Sequence, residues 1–282
     1  MGVGEGSSYQ ALMIAAPFLE RHFQRAMVVL KPVEALRRLP FLNAACIIAV
    51  SQSGQTGSLL RCLTERDVSV PVLPISNVAD SPLMQLYGPG FVVGAGEERV
   101  IPATKSVLGM VAVLLRWAGY DLSGIALEPL WQPEPLAALR SVCERLSPSH
   151  PWVLLGQSPL NTVLPEVALK LVEVTAKPVW ADDLESFRHG PLSLLAEGPN
   201  TVYWLHSLEE WPRIAAMHQP IAPHRLLFQS TPPPAGFDGV WIPRRDVLSA
   251  LVVGQLFTAL WADVMGLPAD HPRLQKSLPD SL

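Results

Sequence analysis

Short, β-branched apolar runs set between longer helical patterns constrain this chain more than any other feature. In the first half they are Met27–Leu30, Ala45–Val50, Val70–Ile75 and Phe91–Val93. In the second they are Trp152–Leu155, Thr201–Leu205, Arg225–Phe228 and Val240–Ile242. The helical stretches between them are Ser8–Arg25, Gly57–Arg66, Lys105–Trp117, Leu136–Leu146, Thr162–Val174 and Val247–Met265. A strand that is apolar at nearly every position is buried on both faces, and its alternation with helices implies an α/β fold with parallel sheets covered on both sides. The pattern runs twice. Its break falls at the proline-rich Leu127–Pro135, LEPLWQPEP, where restricted φ and missing N–H groups suit a semi-rigid linker. The expected layout is two α/β domains in tandem, residues 1–126 and 127–282.

Composition narrows the function classes. Hydrophobic residues make up 49% of the chain and charged residues 16%, against a usual charged share of about 25%, so a large core is expected and general disorder is excluded. A net charge of -4 offers no basic footprint for nucleic acid. Cys46, Cys62 and Cys143 are far apart and form no CxxC pair, which argues against a disulfide framework or a zinc knuckle and fits a reducing, cytoplasmic setting. The N-terminus lacks a basic stretch followed by an apolar run, so no signal peptide is expected. The run from Val247 to Leu267 is nearly long enough to span a bilayer. Ser249, Gln255, Thr258 and Asp263 interrupt it, and a buried helix is the expectation rather than a membrane segment.

The sharpest local signal is SQSGQTG, residues 51–57, directly after the run AACIIAV and directly before a helix. At such a junction free backbone N–H groups and the helix dipole attract an anion, and in an open parallel sheet ligands bind beyond the carboxyl ends of the strands. Gly54 permits a tight turn, while Ser51, Gln52, Ser53 and Thr56 supply hydroxyl or amide groups. An ordinary helix cap needs only one such side chain. A second loop, GEGSSY at residues 4–9, and a third, PATKS at 102–106, also lead into helices. Neither completes a dinucleotide fingerprint, so no nicotinamide cofactor is expected. The third also reads as a capped helix start with a solvated lysine.

Read together, these loops resemble the sugar isomerase (SIS) family, in particular its double-domain phosphosugar isomerases, deaminases and deglycases. SQSGQTG resembles the family's SQSGET, GEGSSY its GCGTSY, and PATKS its ASTKA. Residues 166–173, EVALKLVE, resemble EGALKLKE; residues 187–192, FRHGPL, resemble the family's FRHGPL; the tail from Asp270 resembles DxPRxLxKS. The resemblance implies two tandem SIS-type domains, each a flavodoxin-like three-layer sandwich. It assigns the sugar phosphate to Ser7, Ser8, Ser51, Gln52, Ser53 and Thr56, with Ala103 at a position where the glucosamine synthase type carries a serine. It makes Glu173 the catalytic base with Lys170 beside it, His189 the ring-opening acid–base, and Lys276 the lysine near the carbonyl end of the sugar. It implies a homodimer in which His189 completes the neighbouring subunit's site. The glutamine-dependent branch adds a separate domain with an N-terminal cysteine nucleophile; here residue 2 is Gly2, and no glutaminase domain is expected.

The residues themselves agree with that chemistry. Moving a proton between carbons 1 and 2 of a phosphosugar needs a carboxylate over one face of an enediol. Lys170 and Glu173, three apart on a helix, share a face, so a cation can tune the base and stabilise an oxyanion. Taken alone, Glu166, Lys170 and Glu173 also read as surface ion pairs, His189 as a turn histidine, and Asp182, Asp183 and Glu185 as a solvated acidic turn. His206, His218, His224 and His271 show no metal-ligand spacing, so neither a metal nor an organic cofactor is expected. The expected activity is aldose–ketose isomerisation, or isomerisation with deamination, of a 6-phosphosugar or amino-sugar phosphate. The alternative is a phosphosugar sensor that binds without turnover.

Overall fold

The computed structural model describes residues 1–65, 69–205, 225–229, 238–241 and 246–268. The chain divides into two compact units, one over Met1–Gly124 and one beginning at Ile125.

The first unit holds a five-stranded sheet of β1 (Gly2–Gly4), β2 (Val29–Leu30), β3 (Ile47–Ser51), β4 (Val72–Ser76) and β5 (Phe91–Val92). Every pair is parallel, and the order is β2-β1-β3-β4-β5. The helices are α1 (Ser7–Phe23), α2 (Pro32–Arg38), α3 (Gly57–Thr64), α4 (Pro82–Tyr87) and α5 (Lys105–Trp117). All five residues of β3 are buried, as its uninterrupted apolarity requires of a central strand. Ile47 and Ala49 pack with Ala35 of α2, Leu59, Cys62 and Leu63 of α3 and Leu83 of α4. The strand's period of two turns Ile48 and Val50 to the opposite face, and α1 packs against α5.

The second unit contains β6 (Trp152–Gly156), β7 (Val179–Asp183), β8 (Asn200–Leu205), β9 (Arg225–Gln229) and β10 (Asp238–Trp241), again all parallel. Its order read from one edge is β7-β6-β8-β9-β10. In both units the second strand is therefore an edge, the first lies beside it, and the remaining three follow outward. That is the flavodoxin-type order, whose ligand crevice lies between the first and third strands. The helices are α6 (Pro133–Cys143), α7 (Leu164–Thr175), α8 (Leu184–Phe187) and α9 (Val247–Val264).

Three sequence expectations need correction. Strands β1 and β7 are absent from the apolar runs: β1 is Gly-Val-Gly, too short to show a period, and β7 is a half-exposed edge strand that ends in two aspartates. The proline-rich segment is not a linker. Pro129 lies in a 3-10 turn over Glu128–Trp131 with Leu130 buried, and Pro133 opens α6 at its first position, where a missing N–H costs nothing. The helix expected from Thr162 begins as a 3-10 turn, Leu160–Val163, and becomes α-helical at Leu164.

By length and composition α9 could cross a membrane, yet 67% of it is buried inside the chain. It packs on α6 and α7, and Gly254 is the closest approach, since a Cβ there would come within 2.3 Å of Val167 Cγ2. Asp246 caps its start, accepting from the Ser249 amide at 2.8 Å and the Ser249 hydroxyl at 2.7 Å.

Candidate functional site

In the first sheet β1 and β3 are neighbours, and Gly4 pairs in register with Val50. The two loops rich in hydroxyls, after Gly4 and after Val50, therefore leave adjacent strand ends at the point where the strand order reverses. Gly4 makes a close approach there: a Cβ would lie 3.0 Å from the Ser8 carbonyl carbon and the Tyr9 nitrogen in the first turn of α1. Ser7 is half-buried, whereas Ser8 is buried and aims its hydroxyl at Met110 Sδ of α5, 3.8 Å away, rather than at the second loop.

The loop at Ser51–Thr56 is braced from within. Ser51, buried at the end of β3, lies 2.9 Å from Thr56 Oγ1 through its own hydroxyl, which also accepts from the Gly54 amide at 3.0 Å. The Gln55 amide donates to Ser53 Oγ at 3.2 Å. Gly54 has φ +64°, and a Cβ there would fall 2.1 Å from Ser81 Oγ and 3.0 Å from Ser76 Oγ. Below the loop those two buried hydroxyls meet each other at 3.3 Å. The capping alternative fails, because Thr56 makes no side-chain cap to α3 and spends its hydroxyl on Ser51. The hydroxyl of the residue that precedes α3 is thus turned into the loop, which gathers hydroxyls of the kind that suit a phosphate.

The third loop behaves differently. Ala103 is buried, and Lys105 is exposed with its ammonium donating to the Glu97 carbonyl at 3.0 Å. The start of α5 is held by Glu98: one carboxylate oxygen accepts from the Thr104 amide at 3.0 Å and from both the amide and hydroxyl of Ser106 at 2.8 Å. An internal carboxylate thus occupies this helix end. Sequence reasoning missed Glu98, since it lies six residues before Thr104, beyond the spacing of a capping box.

In the second unit, Glu166, Lys170 and Glu173 form a row along α7. The Lys170 ammonium lies 2.6 Å from Glu173 Oε2 and 3.5 Å from Glu166 Oε1. The side chains of Glu166 and Lys170 are 0% and 2% exposed, and that of Glu173 is 20% exposed. This overturns the surface-pair alternative. Two carboxylates flank one buried cation, and Glu166 sits in the first turn of α7, where the dipole favours negative charge. Buried charge of this kind is a weak contributor to stability and marks a candidate for chemistry.

His189 is not brought to this row. Its side chain is 76% exposed and lies 3.6 Å from Glu185 Oε1. The acidic residues beside it divide their roles. Asp183 caps α8, accepting from the Glu185 and Ser186 amides at 3.0 and 2.9 Å, and hydrogen bonds from Ser186 hold its carboxyl below the usual range. Asp182 accepts from Trp180 Nε1 at 3.3 Å. Lys276, His206, His218, His224 and His271 lie outside the described residues. Among the described residues no cluster of three histidine, cysteine, aspartate or glutamate side chains could hold a metal ion.

No family model matches the chain. The glutamine–fructose-6-phosphate aminotransferase (isomerizing) of Pyrobaculum aerophilum is 29% identical in an alignment 212 residues long that covers 70% of this chain and 35% of that protein. The chain spans between about a third and a half of the length of the curated relatives it matches. Among solved structures, the C-terminal domain of glucosamine-fructose-6-phosphate aminotransferase from Francisella tularensis superimposes with a TM-score of 0.77 at 20% identity, covering 96% of this chain and 85% of that one. Glucosamine-6-phosphate deaminase from Thermotoga maritima superimposes with a TM-score of 0.76 at 23% identity, covering 98% and 89%. The relationship in sequence, the shared fold and the loops at the strand-order reversal converge: the chain is similar in sequence to isomerizing aminotransferases and in fold to phosphosugar-processing SIS enzymes.

Proposed function

We propose that this chain is a phosphosugar-processing enzyme, built from two tandem SIS-type domains, that isomerises a 6-phosphosugar or amino-sugar phosphate, with or without release of the amine. The observation that carries the reading is the row on α7, a buried ammonium held between two carboxylates, one of which reaches solvent. The first unit supports the phosphate half of the reading, through the loop before α3 that carries Ser51, Ser53 and Thr56.

In this reading the phosphate sits at the start of α3, where the dipole and hydroxyls offset its charge. Glu173 takes the proton from carbon 2 of the open-chain sugar and returns it to carbon 1, passing through an enediol. Lys170 holds that carboxylate at 2.6 Å and offsets negative charge as it develops on oxygen. His189 serves ring opening from the neighbouring copy of a homodimer, a role compatible with its exposed position, and Lys276 acts near the carbonyl end.

The test is an assay with glucosamine-6-phosphate, fructose-6-phosphate and fructosamine-6-phosphates, following product and proton exchange at carbon 2 of the aldose or carbon 1 of the ketoses. Glu173→Gln should retain binding and lose at least about a hundredfold in turnover. Absence of exchange and product from all of them, with tight binding retained, would leave only the sensor role. Mixing Glu173→Gln with His189→Ala under subunit exchange should restore activity if sites are shared between copies.

A further inference from the structure

The loop at Ser51–Thr56 and the segment from the end of β4 to the start of α4 form one hydrogen-bonded unit. The Asn77 amide donates to the Gln52 carbonyl at 3.1 Å, and the Leu83 amide, in the first turn of α4, donates to the Gly54 carbonyl at 3.0 Å. A serine before a helix ordinarily accepts from an amide of that first turn. Ser81 stands at this position of α4 and makes no such bond. Its hydroxyl donates instead to Ser76 Oγ at 3.3 Å, and Ser76 Oγ also accepts from the Val78 amide at 3.1 Å. A carbonyl of the Ser51–Thr56 loop thus takes the helix amide that a cap would serve. The two serine side chains are 0% and 1% exposed and lie against Gly54, which approaches them only because it has no Cβ.

Gly54, at φ +64°, is the residue of the loop with the most backbone freedom to lose. A loop that must order itself around an anion gives up affinity to that ordering, and one held in place beforehand does not. The contacts from β4 and α4 engage the Gln52 and Gly54 carbonyls and the bare face of Gly54, and use neither the Ser53 nor the Thr56 hydroxyl. We propose that Ser76 and Ser81 are positioning residues for the phosphate loop, holding Gly54 in place before a ligand arrives and so setting the affinity for phosphate, whatever sugar is attached to it. This rests on the phosphosugar reading above, and deepens it by naming what holds the anion site in shape.

The experiment is calorimetric titration of the full chain with inorganic phosphate and, separately, with fructose-6-phosphate, alongside steady-state kinetics and thermal melts. Ser81→Ala removes one hydrogen bond and should weaken both ligands by the same factor, about fivefold. Ser76→Ala removes the acceptor of two and should weaken both about tenfold. The double variant should bind no more than about twofold more weakly than Ser76→Ala, because the two hydroxyls act through one contact. KM should rise more than kcat falls in each. Variants that melt earlier but bind both ligands as the parent does show a purely structural pair and overturn the proposal, as does weakening of fructose-6-phosphate alone. Should the variants fail to fold, hydrogen exchange on the parent decides. The Gly54, Asn77 and Leu83 amides should be protected without ligand and change little when inorganic phosphate is added; amides that become protected only with phosphate overturn the idea. A parent chain that binds neither ligand refutes the phosphosugar reading and this inference with it. A parent that binds both, with variants unchanged, refutes this inference alone.

Discussion

Replacing Lys170 by methionine tests whether the row on α7 is charged and buried. At an effective dielectric of about 20, separations of 2.6 and 3.5 Å correspond to gross attractions of roughly 6 and 5 kcal/mol. Desolvation of the ammonium offsets much of that. Removing one partner of a buried ion pair nevertheless costs about 3–5 kcal/mol, because the carboxylates stay behind without their cation. For a unit of this size that corresponds to a fall in melting temperature of about 6–20 °C. Glu166→Gln combined with Lys170→Met leaves no buried charge at either position, and should recover most of the stability while turnover remains low. Differential scanning calorimetry of the single and double variants, with isomerase assays on both, makes the comparison. If Lys170→Met melts with the parent, or the double variant is less stable than the single, the row is not the charged cluster argued for here.

Gly54→Ala should abolish inorganic phosphate binding by calorimetry with far-ultraviolet circular dichroism unchanged, since a Cβ would strike Ser81 Oγ at 2.1 Å and the backbone has φ +64°, a conformation costing about 1–2 kcal/mol for other residues. Gly254→Ala should lower stability by about 1–3 kcal/mol through overpacking, because its Cβ would meet Val167 Cγ2 at 2.3 Å; Val167→Ala in the same chain should restore much of it in urea denaturation. Burial lifts the thiols of Cys62 and Cys143 to about 11 and about 12, so each forms thiolate only as pH rises toward those values. A maleimide reagent at pH 7–8 should therefore spare both in the native chain and label both in urea, as read by mass spectrometry of peptides.

The strand-loop-helix junctions were legible in the sequence because they are local. An apolar run ending in SQSGQTG announces a turn, a helix start and an anion site within seven residues. The alternation of strands and helices was legible for the same reason, in every strand except the three-residue β1 and the edge strand β7. The spacing of residues 166, 170 and 173 put one cation and two carboxylates on a common helical face.

Whether that face meets solvent or core was undecided by spacing, since a surface pair and a buried row have the same sequence. Burial depends on what packs against the helix, and α9 packs on α7 from more than seventy residues away. The order of strands in each sheet, which sets the GEGSSY and SQSGQTG loops side by side, likewise follows from pairing between distant segments. So does the division of labour between two similar helix starts. Both α3 and α5 follow loops that carry hydroxyls, and α5 receives the Glu98 carboxylate from a segment that the Asn77 side chain also holds. Local preference decides which elements form and where an anion could bind. The path of the chain between them decides which of those places a carboxylate of the chain itself fills, as Glu98 does at α5.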